Sequence, residues 1–148
     1  MIKTSGSVRF YKKGNSRYQI AEDWWVDTGI KNWAARLMIG DRPLVVLDDG
    51  GRLTVHAGYV FDGPSGPTVN TDNSMRGATA HDALYQLARE GKIPPSVRGR
   101  ADKLAWRIWR ADGMSWLRAK LWLWTLRRFA KGAYTYSPEK VYEAGRAA

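Results

Sequence analysis

The chain has no cysteine. Disulfides and cysteine-ligated zinc are therefore excluded, and a reducing compartment is tolerated. Long apolar runs are also missing. No stretch reaches the ~18 uninterrupted apolar residues of a membrane span, and the longest run, around Leu121–Leu126, is flanked by arginines. Met1–Phe10 lacks the apolar segment of a signal peptide, so a soluble or peripherally attached protein is expected. Acids are scarce: 14 Asp and Glu stand against 24 Lys and Arg, for a net charge of +10. Such a basic surface favours polyanions, whether nucleic acid, anionic lipid headgroups or an acidic protein. Histidine is scarcer still. With only 2 in the chain, imidazole chemistry has two possible locations, His56 and His81. No internal repeat or low-complexity linker is visible.

The 148 residues suit one domain with a sizeable core, and the 8 tryptophans suit core or interface positions. An α+β arrangement is expected, with a small antiparallel β-rich part over 1–66, about three packed helices over 73–132 and a tail over 133–148. Ser7–Phe10 and Arg17–Ile20, joined by a turn at Lys12–Asn15, read as a hairpin. Trp24–Val26 reads as a strand closed by Asp27-Thr28-Gly29. Asn32–Met38 suits either a short helix or a strand. Pro43–Leu47, the Asp48–Gly51 turn and a return strand Leu53–Val60 read as a second hairpin, with Leu53, Val55 and Ala57 on one face. Phe61–Pro67 carries two glycines and two prolines, which break regular structure. This stretch is either a plain connection or a rigid cradle of backbone amides and carbonyls.

From Asn73 the pattern becomes helical. Asn73 or Ser74 can cap a first helix whose stripe is Met75, Ala78, Ala80, Leu84, Leu87 and Ala88; Gly91 and Pro94-Pro95 stop it. Ser96 can cap a second helix, with Ala101, Leu104, Ala105 and Ile108 inward and Asp112-Gly113 at its end. Ser115 opens a third over Trp116–Lys131. Its tryptophans and leucines read first as a core-packing surface with a basic edge. Docking on a membrane surface comes second and nucleic-acid contact third. Arg118, Trp122, Arg127 and Arg128 are its candidate binding residues.

The chemistry concentrates at Thr79–Asp112. His81 and Asp82 are adjacent on a helix, so their side chains diverge by about 100°. Tyr85 lies one turn beyond His81 and shares its face. An antiparallel helix pair would bring Asp102 to the imidazole. A carboxylate on one ring nitrogen fixes the tautomer and leaves the other free as a base. His81, Tyr85 and Asp102 are therefore the candidate catalytic residues. Asp82 and Asp62, aided by loop carbonyls, could hold a hard cation. The bland alternatives are specific as well. His81 can be a hydrogen-bonded structural residue, Asp82 a bridge to the loop, and Asp102 an acid complementing a helix dipole. His56, on an alternating strand, reads as a surface residue.

His81-Asp82-x-x-Tyr85, an upstream glycine loop and a downstream Asp102 resemble the core of the phospholipase A2 family, its short microbial members most. That resemblance implies a phospholipase A2-like helix pair, with His81 activating water, Asp102 orienting it and Asp82 binding calcium. Loop carbonyls near Phe61, Gly63 and Ser65, with Asp62, would complete the calcium site. The disulfides of the secreted enzymes are absent, and Asp62 and Pro64 stand where the long enzymes are richer in glycine. A wider stretch, about Val45 to Tyr134, resembles a bacteriophage and prophage family known as a domain of unknown function. It carries the resemblance in Gly58-x-x-x-Asp62-Gly63-x-Ser65, Ala78-x-x-His81-Asp82-x-Leu84-Tyr85 and Arg98-x-x-Ala101-Asp102. This second resemblance implies a phage protein found in the virion or the host cytoplasm. It would be an ester hydrolase, a non-catalytic virion component contacting other virion proteins, or a small inhibitor of a host protein.

Overall fold

The computed structural model describes residues 1–13, 17–61 and 72–129, with only the backbone at positions 13, 126, 128 and 129. Strands occupy the first half and helices the second, the α+β layout expected. Strands β1 (Phe10–Lys13) and β2 (Arg17–Ile20) pair antiparallel, Phe10 opposite Ile20, as the predicted hairpin. β3 (Trp24–Asp27) is the next predicted strand. β4 (Ala35–Ile39) settles the ambiguous segment as a strand. Its Ala35 and Leu37 point inward and are buried against β5 (Arg42–Leu47), so tertiary pairing selects the extended form. Gly51, at φ +93° with the Ile30 backbone 3.1 Å from where a Cβ would stand, closes the turn into β6 (Arg52–Val55).

The return strand is shorter than expected. It ends at Val55, and the chain bends before entering β7 (Val60–Phe61). Gly58 adopts φ +99° there, and the Tyr59 amide donates to His56 O at 3.2 Å. Ala57 thus leaves the strand face, and its amide donates to Asp23 Oδ1 at 2.9 Å. The bend moves the chain from one sheet to the other. The first sheet has the order β1-β2-β7 and the second β3-β6-β5-β4. The Phe61–Pro67 loop, cradle or connection, lies beyond its first residue outside the described residues, as do the last two residues of the predicted third helix and the tail over 133–148.

Helix α1 (Met75–Arg89) carries every residue of the predicted stripe in the interior, and Gly77, Thr79, His81, Ala83 and Tyr85 as well. It is buried nearly all round because it lies between the sheet and α2 (Arg98–Ala111). Ser74 occupies the cap position without a side-chain cap bond. Gly91 (φ +72°) ends the helix: its amide donates to Ala88 O at 3.0 Å and the Lys92 amide to Leu87 O at 2.8 Å. α2 closes the same way at Gly113, with Met114 buried beside Trp109. Ser96 does not cap α2. It sits inside a 3-10 turn, Pro95–Val97, and Val97 takes the cap position.

α1 and α2 run antiparallel in very close contact. Gly77 makes this possible: a Cβ there would fall 2.4 Å from Trp109 Nε1 and 3.0 Å from Ala105 O. Trp109 in turn donates to Ser74 O at 3.0 Å. Arg76 and Asp112 pair at 3.2 Å at the same end. Tyr59 OH donates to Gln86 Oε1 at 3.0 Å, fastening α1 to the strands.

α3 (Trp116–Phe129) starts where predicted, with Ser115 Oγ accepting from the Arg118 amide at 3.3 Å. Its packing departs from the core-helix expectation. Ala119, Trp122 and Thr125 are buried, whereas Trp116, Leu117, Leu121 and Trp124 are exposed. Two layers already cover the sheet, so α3 rests only one narrow face on α2. Among the described residues, no helix is long and apolar enough to cross a membrane.

Candidate functional site

The antiparallel register of α1 and α2 sets the site. Ser74 meets Trp109 at one end. Two turns on, His81 meets Asp102, and one turn further Tyr85 meets Asp102 and Arg98. His81 and Tyr85, one turn apart, stack with ring centroids 3.8 Å apart and both reach a single carboxylate oxygen. His81 Nε2 lies 2.9 Å from Asp102 Oδ1, and Tyr85 OH donates to that oxygen at 2.5 Å. Arg98 Nε donates to the Tyr85 oxygen at 3.4 Å, and Arg98 Nη2 to Arg127 O at 2.9 Å. Arg127 Nε stands 3.9 Å from Asp102 Oδ2. Three helices therefore converge on one carboxylate.

The site is dry at its centre: the His81 side chain is 3% exposed and that of Asp102 2%. Burial opposes charge on His81, but the carboxylates of Asp102 and Asp82 outweigh it and hold the imidazole pKa above its ordinary 6.5. Burial likewise opposes ionisation of Asp102. Hydrogen bonds from His81 and Tyr85 win, keeping its pKa below the ordinary 3.8. Burial and the neighbouring Asp102 charge push the Tyr85 phenol well above its usual range, so it remains a donor. Asp102, as the acceptor 2.9 Å away, thus fixes Nε2 as a protonated nitrogen.

Asp82 does more than the divergence of adjacent helical side chains suggests. Its Oδ1 curls back to 3.6 Å from His81 Nδ1, beyond hydrogen-bond length but close enough for charge attraction. Both ring nitrogens thus face acids. A cleft of about 410 Å³ lined by Arg98, Gly99, Asp102 and Arg127 reaches the pair from the Asp102 side.

The structure brings together His81, Asp102, Tyr85 and Asp82. Asp62 and Gly63, expected to join them in a cation site, lie outside the described residues. Among the described residues no group of three or more His, Asp or Glu side chains is placed to hold a metal ion. Asp82 alone supplies far fewer than the six to eight oxygens calcium takes, so the described donors do not by themselves fit that ion.

The expected binding group divides. Trp122 is buried edge-to-face on Trp109, ring centroids 5.3 Å apart, and is not accessible to a partner. Arg118 lies over the Trp122 ring at 5.0 Å and donates to Asn73 Oδ1 at 3.4 Å, bracing α3 against the start of α1. Arg127 belongs to the His81–Asp102 site, and the side chain of Arg128 is not described. The sequence marks Arg98 as the start of the Arg98-x-x-Ala101-Asp102 motif and gives it no role at the site. Its position four residues before Asp102, on the same face, was the available signal for its role beside Tyr85.

His56 is a surface residue, as expected, though not an idle one. Its Nδ1 stands 3.0 Å from Asp23 Oδ2, clipping the bend after β6 to the start of β3. No protein-family model, no curated protein and no solved structure matches the chain.

Proposed function

We propose that the chain is an acyl-ester hydrolase, phage-encoded, in which His81 activates water. The observation that carries this reading is the convergence of His81 Nε2 and Tyr85 OH on one buried oxygen of Asp102. Asp102 would hold the proton on Nε2, so that the deprotonated ring presents Nδ1 as the base. Nδ1 takes a proton from water as its oxygen attacks the ester carbonyl carbon. The resulting imidazolium then returns that proton to the leaving alkoxide, giving acid and alcohol. Asp82, beside Nδ1, would stabilise the imidazolium as it forms. A calcium ion at Asp82, with Asp62 and Gly63, remains a separate proposal, and no step above depends on it.

His81→Gln is the informative variant. A glutamine amide can keep a donor on Asp102 but cannot act as a base. Fatty-acid release from phosphatidylglycerol vesicles, with and without added calcium, is the assay. The wild type is expected to release fatty acid and His81→Gln to release none, with unchanged far-UV circular dichroism. No release by the wild type at any calcium level, or undiminished release by His81→Gln, ends this reading.

The burial of His81 favours a second reading. At 3% side-chain exposure, with an acid on each nitrogen, the cluster can serve as a polar lock between helices in a non-catalytic virion component. That reading expects the protein in purified particles by mass spectrometry and no hydrolysis by any variant.

A further inference from the structure

We infer that the outward face of α3 docks on an anionic lipid surface. At 100° per residue, Trp116, Leu117, Lys120, Leu121, Trp124 and Arg127 fall within an arc of about 140°. Leu117 is 72% exposed, Leu121 58%, Trp124 57% and Trp116 53%. Scattered exposed leucines are ordinary on a protein surface, but four large apolar side chains on one face of one helix are not. The buried Ala119, Trp122 and Thr125 occupy the opposite side, so the helix stays seated on α2 while this face looks outward.

Charge decides the occupant. Lys120 and Arg127 interleave with the apolar side chains, Lys120 Nζ standing 4.6 Å from the Trp116 ring centre. Residues 113–138 contain no acid at all. A two-fold contact with a second copy would press these cations on one another. Nucleic acid would satisfy the cations but leave Leu117 and Leu121 facing phosphate and water. An anionic bilayer satisfies both kinds of side chain: tryptophans at headgroup depth, leucines below them and cations on the phosphates.

The surface is continuous with the cleft, because Arg127 belongs to both. The docking itself does not rest on the hydrolase reading. His81→Gln should bind vesicles as the wild type does, so loss of hydrolysis and loss of docking are separately visible.

The full chain would be titrated with vesicles of phosphatidylcholine alone and of phosphatidylcholine with one third phosphatidylglycerol, followed by co-sedimentation. Binding is expected only to the anionic vesicles and should weaken as salt rises. Leu117→Glu with Leu121→Glu is expected to fold normally, both sites being exposed, and to bind about tenfold or more weakly. Brominated lipid should quench tryptophan emission less in Trp116→Phe with Trp124→Phe than in the wild type. Absence of binding to anionic vesicles overturns the inference. So does equal binding of the double glutamate variant, or a wild-type dimer that this variant dissociates. Binding of an RNA oligonucleotide in place of vesicles, lost in the same variant, overturns it too.

Discussion

Both histidines of the chain stand beside an aspartate at nearly the same distance, 2.9 Å for His81–Asp102 and 3.0 Å for His56–Asp23. Length does not separate them; surroundings do. His81 lies between packed helices with a tyrosine and two acids around it. The His56 side chain is 26% exposed and that of Asp23 62%. In the first pair water cannot substitute for a lost partner, and the low local dielectric magnifies every charge. In the second, water competes with the bond and screens it. One hydrogen-bond length therefore describes a coupled chemical unit in one place and a surface clip in the other.

The sharpest way to break this comparison is to remove each acid. Asp102→Ala leaves an imidazole and a phenol buried without their shared acceptor, and should cost about 3–5 kcal/mol in urea unfolding. Asp102→Asn keeps an acceptor and should cost less. A loss near zero for Asp102→Ala would mean that the cluster contributes nothing to holding α1 on α2.

Next in size is the contact that lets the two helices approach. Gly77→Ala drives a methyl into the indole of Trp109, which is almost fully buried and tied to Ser74 O, so it cannot swing aside. Overpacking of this kind costs about 1–3 kcal/mol. If the helices part to accommodate the methyl, the His81–Asp102 distance lengthens, and the His81 ring resonances in a nuclear magnetic resonance titration should move toward an ordinary histidine pKa. A variant as stable as the wild type would show that the close approach is not required.

The fold was legible where local chemistry and tertiary packing agree. The Asp48–Gly51 turn, the strands around it, and the Gly91 and Gly113 stops follow from residues whose backbone freedom or β-branching leaves few alternatives. The sequence misled where a distant partner decides. The strand over Leu53–Val60 looks continuous, but Gly58 and the carboxylate of Asp23, far back in the chain, turn it into a bend between two sheets. Trp122 and Trp116 look alike in sequence; only the seating of α3 on α2 buries one and exposes the other. At the site, His81, Tyr85 and Asp102 could be grouped from helical spacing and an antiparallel pairing. Arg98, one turn before Asp102, could be added on the same helical spacing; Arg127 could not, because its role depends on where α3 lands.

The pH response separates the two pairs further. His81 has a raised pKa when folded, so its stabilising contribution is complete below about pH 6.5 and is lost as pH rises through the folded value. Asp102 has a lowered pKa, so its contribution is complete above about pH 3.8 and is lost as pH falls through the folded value. Between those limits the pair contributes in full. Urea melts of the wild type minus those of His81→Gln should show a difference that shrinks toward alkaline pH. In the hydrolase reading, log kcat/KM should rise with pH along a limb centred above 6.5, as His81 sheds its proton. A difference that grows toward alkaline pH would contradict the raised pKa.

The smallest effect is expected at Asp23. Its carboxyl is held below the ordinary value chiefly by the Ala57 amide, with burial opposing and His56 assisting. Asp23→Asn keeps an acceptor for that amide and removes only the charge opposite His56, so it should be nearly silent in urea unfolding. Asp23→Ala also removes the acceptor that fastens the Gly58 bend, and should cost about 1 kcal/mol or less. The bend is held by the His56, Gly58 and Tyr59 amides as well, each bonded to a backbone carbonyl, so losing one side-chain acceptor cannot release it. Were Asp23→Ala to destabilise as much as Asp102→Ala, burial would not be what distinguishes the two histidine–aspartate pairs, and the bend between the sheets would have to be the tighter constraint on the fold.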